Sequence, residues 1–134
     1  GAIFSFNPTD INLYARFLRM RDTVTKIGEE VEEARKKIDI DTENGTKEYA
    51  LLLEEADRKA KEALTECFNV SNDFNAIFDG ANAFSPTDTG QWIITNFIMA
   101  ITPVVEKEVT AFTKEKAKRQ AAKAKQSRAK RAKK

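Results

Sequence analysis

The chain offers few side chains that could carry out chemistry, and it contains no histidine at all. Without histidine, Ser-His and Cys-His catalysis, histidine acid–base chemistry and histidine-ligated metal sites are excluded. The single cysteine, Cys67, cannot form an intrachain disulfide or a cysteine-based zinc cluster. Because Cys67 falls at a regularly apolar position of a helical segment, we predict a buried structural thiol and not a nucleophile.

Carboxylates are plentiful, but their spacing does not favour catalysis. Glutamate pairs such as Glu29-Glu30 lie between apolar helix positions, on faces that we expect to be solvated. An acid or base with a tuned pKa needs an apolar, convergent setting instead. The alternating acids Asp39, Asp41 and Glu43 resemble part of a cation-binding loop, but its other ligands are missing. We therefore predict no enzymatic activity, no metal site and no cofactor.

The net charge of +2 conceals two parts of opposite sign. Residues 1–112 carry 12 basic and 20 acidic side chains, a net charge of −8, whereas residues 113–134 carry 11 basic side chains and one acid, a net charge of +10. We predict a helical domain over residues 1–112 and a basic tail over residues 113–134. The basic residues of the tail are Lys114, Lys116, Lys118, Arg119, Lys123, Lys125, Arg128, Lys130, Arg131, Lys133 and Lys134.

Three interpretations of this basic tail remain open. It could be a solvated segment that keeps the protein soluble, or an arm that neutralises the phosphates of a nucleic acid. It could also dock on an acidic protein, including the acidic domain of a neighbouring copy. No aromatic residue interrupts the tail, so stacking on bases is not supported.

The spacing of apolar residues predicts an all-α fold. A first helix runs from about Pro8, with Asn7 as its N-cap, to about Asp39, and a second runs from about Thr46 to Asn69. Both carry apolar residues at alternating steps of four and three, which indicates an antiparallel helical hairpin. The first helix places Leu13, Phe17, Met20, Val24, Ile27, Val31, Ala34 and Ile38 on this face, and the second places Tyr49, Leu53, Ala56, Ala60, Ala63, Cys67 and Val70 there. Asn44-Gly45 is predicted to lie in the turn between them.

The rest of the domain is predicted to close one end of the hairpin. Ser71 caps a short helix that ends at Gly80, and the Ser85-Pro86-Thr87-Asp88 segment caps a last helix that continues to Phe112. Pro103 should kink this last helix because it removes one backbone hydrogen bond. Beyond it we expect a helix-prone tail. We expect six residues in the core: Phe17, Val24, Ile27, Val31, Leu53 and Phe97.

No segment indicates a membrane or export signal. The most apolar stretch, from Trp92 to Val105, has 14 residues and several polar interruptions, whereas a transmembrane helix needs about 20 apolar residues. The first six residues lack the features of a signal peptide. We expect no membrane association and a location in the cytoplasm.

Residues 74–98 contain an unusual concentration of large apolar side chains. One interpretation is that they form the core at the open end of the hairpin, and the other is that some form an exposed patch for partners. The candidate partner-binding residues are Phe74, Ile77, Phe78, Phe84 and Trp92.

The same region resembles the tail assembly chaperones of long-tailed phages with non-contractile tails. The resemblance rests on the run from Asp73 to Gly80, on Ala83-Phe84, and on a helix through Trp92, Phe97 and Pro103. It covers roughly residues 70–115. Here Asp79 separates Phe78 from Gly80, which departs from the tighter Phe-Gly turn of that family.

The resemblance implies a small helical protein, in the cytoplasm of a bacterial host, that binds the tape measure protein and keeps its long helices soluble. It would be displaced as tail tube subunits polymerise, so the tape measure and tail tube proteins are the implied partners, together with further copies of the chain. The alternative function is that of a small helical nucleic-acid-associated protein anchored by its basic tail.

Overall fold

A computed structural model describes the backbone of residues 3–132 and the side chains of residues 3–128. Within that range the chain forms helices α1 (Leu13–Lys37), α2 (Glu43–Phe68), α3 (Phe74–Ile77) and α4 (Ile93–Ala132). Its described backbone contains no β-strand, only an isolated bridge between Pro86 and Trp92. The predicted all-α fold is therefore confirmed.

Helices α1 and α2 pack against each other and form the predicted hairpin. The residues that α1 buries follow the predicted heptad spacing. Helix α2 contributes mostly small side chains, which allow close approach of the two helices. In the second half of α2, Leu64 and Phe68 are also buried, because this half additionally faces α3 and the N-terminal segment. Of the six expected core residues, Leu53 and Phe97 are half-buried and the other four are buried.

Helix α1 begins later than expected, at Leu13 and not at Pro8. Asn7 accepts hydrogen bonds from Thr9 and thereby holds a turn, so its capping chemistry is used outside the helix. Asp10 then accepts from the backbone N–H of Asn12 and forms a 2.5 Å ion pair with Arg16. These bonds stabilise a separate turn just before the first helical residue.

Arg16 also joins α1 to the end of α2. Its Nε donates to the carbonyl oxygen of Cys67 at 2.7 Å, which satisfies one of the free carbonyls in the last turn of α2. The hydrogen bond from Arg16 lowers the pKa of the Asp10 carboxyl below its ordinary value. Arg16 therefore connects three segments: the N-terminal turn, α1 and α2.

The turn between α1 and α2 is shorter than the sequence suggested, because α2 begins at Glu43 and not at Thr46. The side-chain oxygen of Thr42 caps the helix by accepting from the backbone N–H of Gly45 at 3.0 Å. Gly45 is thus inside the helix. Only glycine fits at this position without a shift of the backbone, because a Cβ would lie 1.7 Å from the carbonyl oxygen of Asp39.

Two further predicted caps are wrong. Asp73, not Ser71, caps α3 by accepting from the N–H groups of Asn75 and Ala76. The segment of residues 85–88 does not start α4, whose first residue is Ile93.

The start of α4 is capped by backbone groups instead of a side chain. The N–H groups of Ile93 and Ile94 donate to the carbonyl oxygens of Ser85 and Ala83 at 3.0 Å each. The preceding loop is therefore fastened directly to the first turn of α4.

A cluster of phenylalanine rings closes the end of the hairpin. Phe4 joins the N-terminal segment to this cluster through edge-to-face contacts with Phe68 and Phe97, at 4.8 and 5.3 Å between ring centroids. The N-terminal segment that carries Phe4 is held by Asn72, whose side-chain amide accepts from the N–H of Ser5 and donates to its carbonyl. The other rings in the cluster are Phe6, Phe17, Phe74 and Phe78.

The loop between α3 and α4 is fastened to α2 by polar contacts. Lys61 donates to Asp57, to the Asn75 side chain and to the carbonyl of Ala81 at 2.8–3.1 Å. Asp57 in turn accepts from the N–H of Ala83 at 2.7 Å. These contacts fix the direction in which the chain enters α4.

Helix α4 extends well beyond the packed body. The residues that it buries are spaced by seven and by four positions, and the helix continues through Pro103 to residue 132. Beyond Phe112, every described side chain through residue 128 is exposed. The kink at Pro103 and the division of the chain at residue 112 stay predictions. The buried residues of α4 are Ile94, Ile101, Val105 and Val109.

We predict that Gly45→Ala destabilises the protein, although alanine is the better helix former by about 1 kcal/mol. The added methyl group would collide with backbone atoms of Asp39, which cannot rotate away. We expect a net loss on the order of 2–3 kcal/mol in the free energy of unfolding, measured by urea denaturation.

Gly90→Ala is the control, because a Cβ there meets open space and only the positive φ of 85° opposes it. Its expected cost is about 1 kcal/mol. Equal losses for the two variants would contradict the proposed collision.

Candidate partner-binding site

A groove of about 440 Å³ lies between α1 and the first two turns of α4. We call it the Trp92 groove. Its floor is apolar and includes Trp92, which is half-buried, and Met99, which is 60% exposed. The remaining lining residues are Arg21, Val24, Thr25, Gly28, Glu29, Glu32, Glu33, Thr95 and Ile98.

The indole of Trp92 is held from two sides. It lies directly on Gly28 of α1, where a Cβ would be only 2.7 Å from its Cζ3 atom. Phe84 contacts it edge-to-face, with 5.0 Å between ring centroids and 81° between ring planes. The ring is therefore fixed before any partner binds, which reduces the entropy lost on binding.

The α1 wall of the groove is acidic. Glu29, Glu32 and Glu33 line it, whereas Arg21 is the one cation among the lining residues. Glu32 and Glu33 each lie 3.5–3.7 Å from a basic residue of their own helix, in exposed pairs that contribute little stability. Arg21 instead lies over the ring of Phe17, 5.8 Å from its centroid.

The structure does not gather the five candidate partner-binding residues into one surface. Phe74, Phe78 and Phe84 are buried, and the first two belong to the phenylalanine cluster. Ile77 is half-buried against the core. Trp92 alone of the five lines the groove, with Phe84 beneath it. The assignment of these residues to partner binding stays a prediction.

Sequence reasoning missed the other residues that make the groove. Trp92 directly precedes α4, and Thr95 and Met99 follow it by three and seven positions, which places Thr95 and Met99 on the face of α4 that continues from Trp92. The available signal on α1 was Gly28, a glycine inside a strongly periodic helix. Such a glycine often marks close approach of another group, which here is the indole.

The basic tail forms a continuation of α4 and not a separate element. At about 100° per residue, Lys114, Lys118 and Lys125 lie on one side of this helix. Lys116, Arg119 and Lys123 lie on the opposite side, so positive charge surrounds the helix. Among the tail residues, Glu115 pairs with Arg119 at 3.4 Å. The side chains of Lys130 and Arg131, and the whole of Lys133 and Lys134, lie outside the described residues.

Cys67 is buried, as predicted, with 3% of its surface exposed. Burial raises the pKa of its thiol to about 11, against the opposing influence of Arg16 and Arg19. A thiol with so high a pKa is almost entirely protonated at neutral pH, and the protonated form is not nucleophilic.

Two other features are absent from the described residues. Between residues 3 and 132, no helix is both long enough and apolar enough to span a bilayer. In the same part of the chain, no group of three or more aspartate, glutamate or cysteine side chains is arranged to hold a metal ion.

We predict that Cys67 reacts slowly with thiol-specific reagents in the folded protein. A pKa of about 11 leaves about a hundredfold less thiolate at pH 8 than an ordinary cysteine has. The labelling rate should therefore rise with pH toward 11 and rise sharply in urea. Equal rates in folded and unfolded protein at pH 8 would contradict this.

We also predict that the tail is dispensable for folding. A chain that stops after Phe112 should keep its thermal midpoint, followed by Trp92 fluorescence, within about 2 °C, because exposed residues contribute little to stability. A chain that stops after Pro103 is the control: it loses the buried Val105 and Val109 and should melt much earlier. Failure of the longer truncation to fold would refute the prediction.

Comparison with known proteins assigns no family to this chain. No protein-family model matches the sequence, and no significant match was found among the curated proteins or the solved structures.

Proposed function

We propose that this chain is a non-enzymatic tail assembly chaperone that binds and solubilises a tape measure protein and is displaced as the tail tube polymerises. The resemblance over residues 70–115 supports the family. The observation that carries the proposal is the Trp92 groove, an apolar surface that remains open on a body whose core is otherwise complete. An open apolar groove on a highly charged helical protein is suited to hold an amphipathic helix.

Reversible binding is part of this proposal. The groove is small and exposes only a few large side chains, so it can shield a short stretch of helix without binding it permanently. Many copies of the chain, bound side by side along a long client, would each cover one section of that client. Tube subunits would then replace them one after another. In this proposal the chain acts in the cytoplasm of a bacterial host.

Co-expression with the tape measure protein tests the proposal. We expect the wild-type chain to raise the soluble fraction of that client and to co-purify with it. Met99→Glu should abolish both effects, because it places a charge on the apolar floor of the groove. If the client is equally insoluble with and without the chain, and the two never co-purify, the chaperone proposal fails.

Leu51→Glu provides a matched control for the Met99 variant. Leu51 is an equally large apolar residue with 66% exposure, but it lies on α2, outside the groove. We expect this variant to behave like the wild type. Thermal unfolding of both variants confirms that each is folded before the comparison is made.

The exposed basic helix favours a second candidate function, in which the protein is anchored to nucleic acid. Every described side chain of residues 113–128 is exposed, and cations occur on opposite sides of the helix. Binding through many phosphate contacts weakens by about 10³–10⁵-fold between 50 and 200 mM salt. Binding of the full chain to duplex DNA with this salt dependence, and its loss after truncation at Phe112, would support this function over the first.

A further inference from the structure

The Trp92 groove has the length of a short helix. Along α1 its lining extends from Arg21 to Glu33. At 1.5 Å per residue this span is about 18 Å, or about three turns of a docked helix. Grooves between two helices commonly receive the apolar face of a third, with anchors spaced by three, four and seven residues.

The floor of the groove requires large apolar anchors. Met99 is 60% exposed, and the half-buried Trp92 and Ile98 lie beside it. Apolar side chains of a partner would remove this remaining apolar area from water, which polar side chains do not do favourably. The tail of a second copy does not meet this need, because beyond Phe112 its only apolar residues are alanines. The occupant must therefore be a helix with an apolar ridge of large side chains, which the tail lacks.

The acidic wall determines the charge of that helix. Glu29, Glu32 and Glu33 follow one another along α1 beside the apolar floor. Glu29 has no ion-pair partner among the described residues, and the pairs of the other two are exposed and weak. An acidic client would meet this wall with like charge, whereas lysine or arginine beside the ridge would complement it.

We infer that the Trp92 groove binds an amphipathic helix of about three turns whose apolar ridge is flanked by lysine or arginine. This inference rests on the proposed function for the existence of a helical client, and it adds the chemistry of the client's binding segment. It also separates two charged regions of the protein: the groove selects basic helices, whereas the basic tail repels them.

The single tryptophan of the chain provides a direct measurement, because it forms part of the groove floor. The probes are three designed helical peptides that are titrated into the full-length protein. The first has a leucine ridge flanked by lysines, the second has the same ridge flanked by glutamates, and the third has the lysines but an alanine ridge. Trp92 emission reports occupancy of the groove.

We expect the leucine–lysine peptide to shift Trp92 emission and to bind with an affinity about tenfold higher than that of the leucine–glutamate peptide. A tenfold difference in affinity is what a few exposed ion pairs contribute together. The alanine-ridge peptide should cause no shift. Attraction between the basic tail and the glutamate peptide works against this order, so the order cannot arise from the net charge of residues 113–134.

Charge reversal on the groove wall provides the decisive variant. Glu29→Lys with Glu33→Lys should invert the preference between the two leucine peptides. Glu48→Lys with Glu54→Lys is the matched control on α2: all four glutamates are exposed, but the control pair lies outside the groove. The control should keep the wild-type order, and circular dichroism shows whether both double variants are folded.

Several outcomes would overturn the inference. These are equal binding of the two leucine peptides, a shift caused by the alanine-ridge peptide, or an order that the wall variant leaves unchanged. A concentration-dependent shift in the protein alone, lost on truncation at Phe112, would assign the groove to a second copy's tail. If co-expression solubilises the client but the leucine–lysine peptide shows no preferential binding, the chaperone proposal stands and only this inference is wrong.

Discussion

The contact of Phe4 with Phe68 and Phe97 is the interaction on which the rest of the structure depends. These rings come from the N-terminal segment, the end of α2 and the beginning of α4, so one cluster joins three parts of the chain that are distant in sequence. Edge-to-face aromatic pairs add about 0.5–1.5 kcal/mol each beyond the burial of their area. Because the middle of α2 offers mostly small side chains to α1, this cluster supplies much of the large apolar surface that closes the hairpin.

The cluster also creates the groove, because it decides which side of α4 faces inward. Phe97 and Trp92 are five residues apart and so project from different sides of the helix. Once Phe97 packs into the cluster, Trp92 is directed toward Gly28 and Met99 is left exposed beside it. The apolar floor of the groove is thus a consequence of core packing, and its openness is what makes it available to a partner.

The charged residues serve two different purposes. Most ion pairs in the described residues join neighbours on one helix, and at high exposure they contribute little to stability. The pairs of Arg16 with Asp10 and of Lys61 with Asp57 are different, because the same side chains also hold a backbone carbonyl or N–H of another segment. Meanwhile α4 carries the basic tail away from the acidic body as one continuous helix, so the two charged regions remain separate surfaces.

The sequence by itself determined the helical class, the hairpin and the burial of Phe17, Val31 and Cys67, because apolar periodicity and local propensity act over a few residues. It did not determine where the helices begin. Thr42 and Asp73 cap α2 and α3, and Asp10 holds a separate turn ahead of α1, through hydrogen bonds that compete with equally plausible ones nearby. Nor did it separate the buried Phe74 and Phe78 from the half-exposed Trp92. Only the tertiary structure decided that, because burial depends on neighbours such as Phe4 and Gly28, which lie more than 60 residues away along the chain.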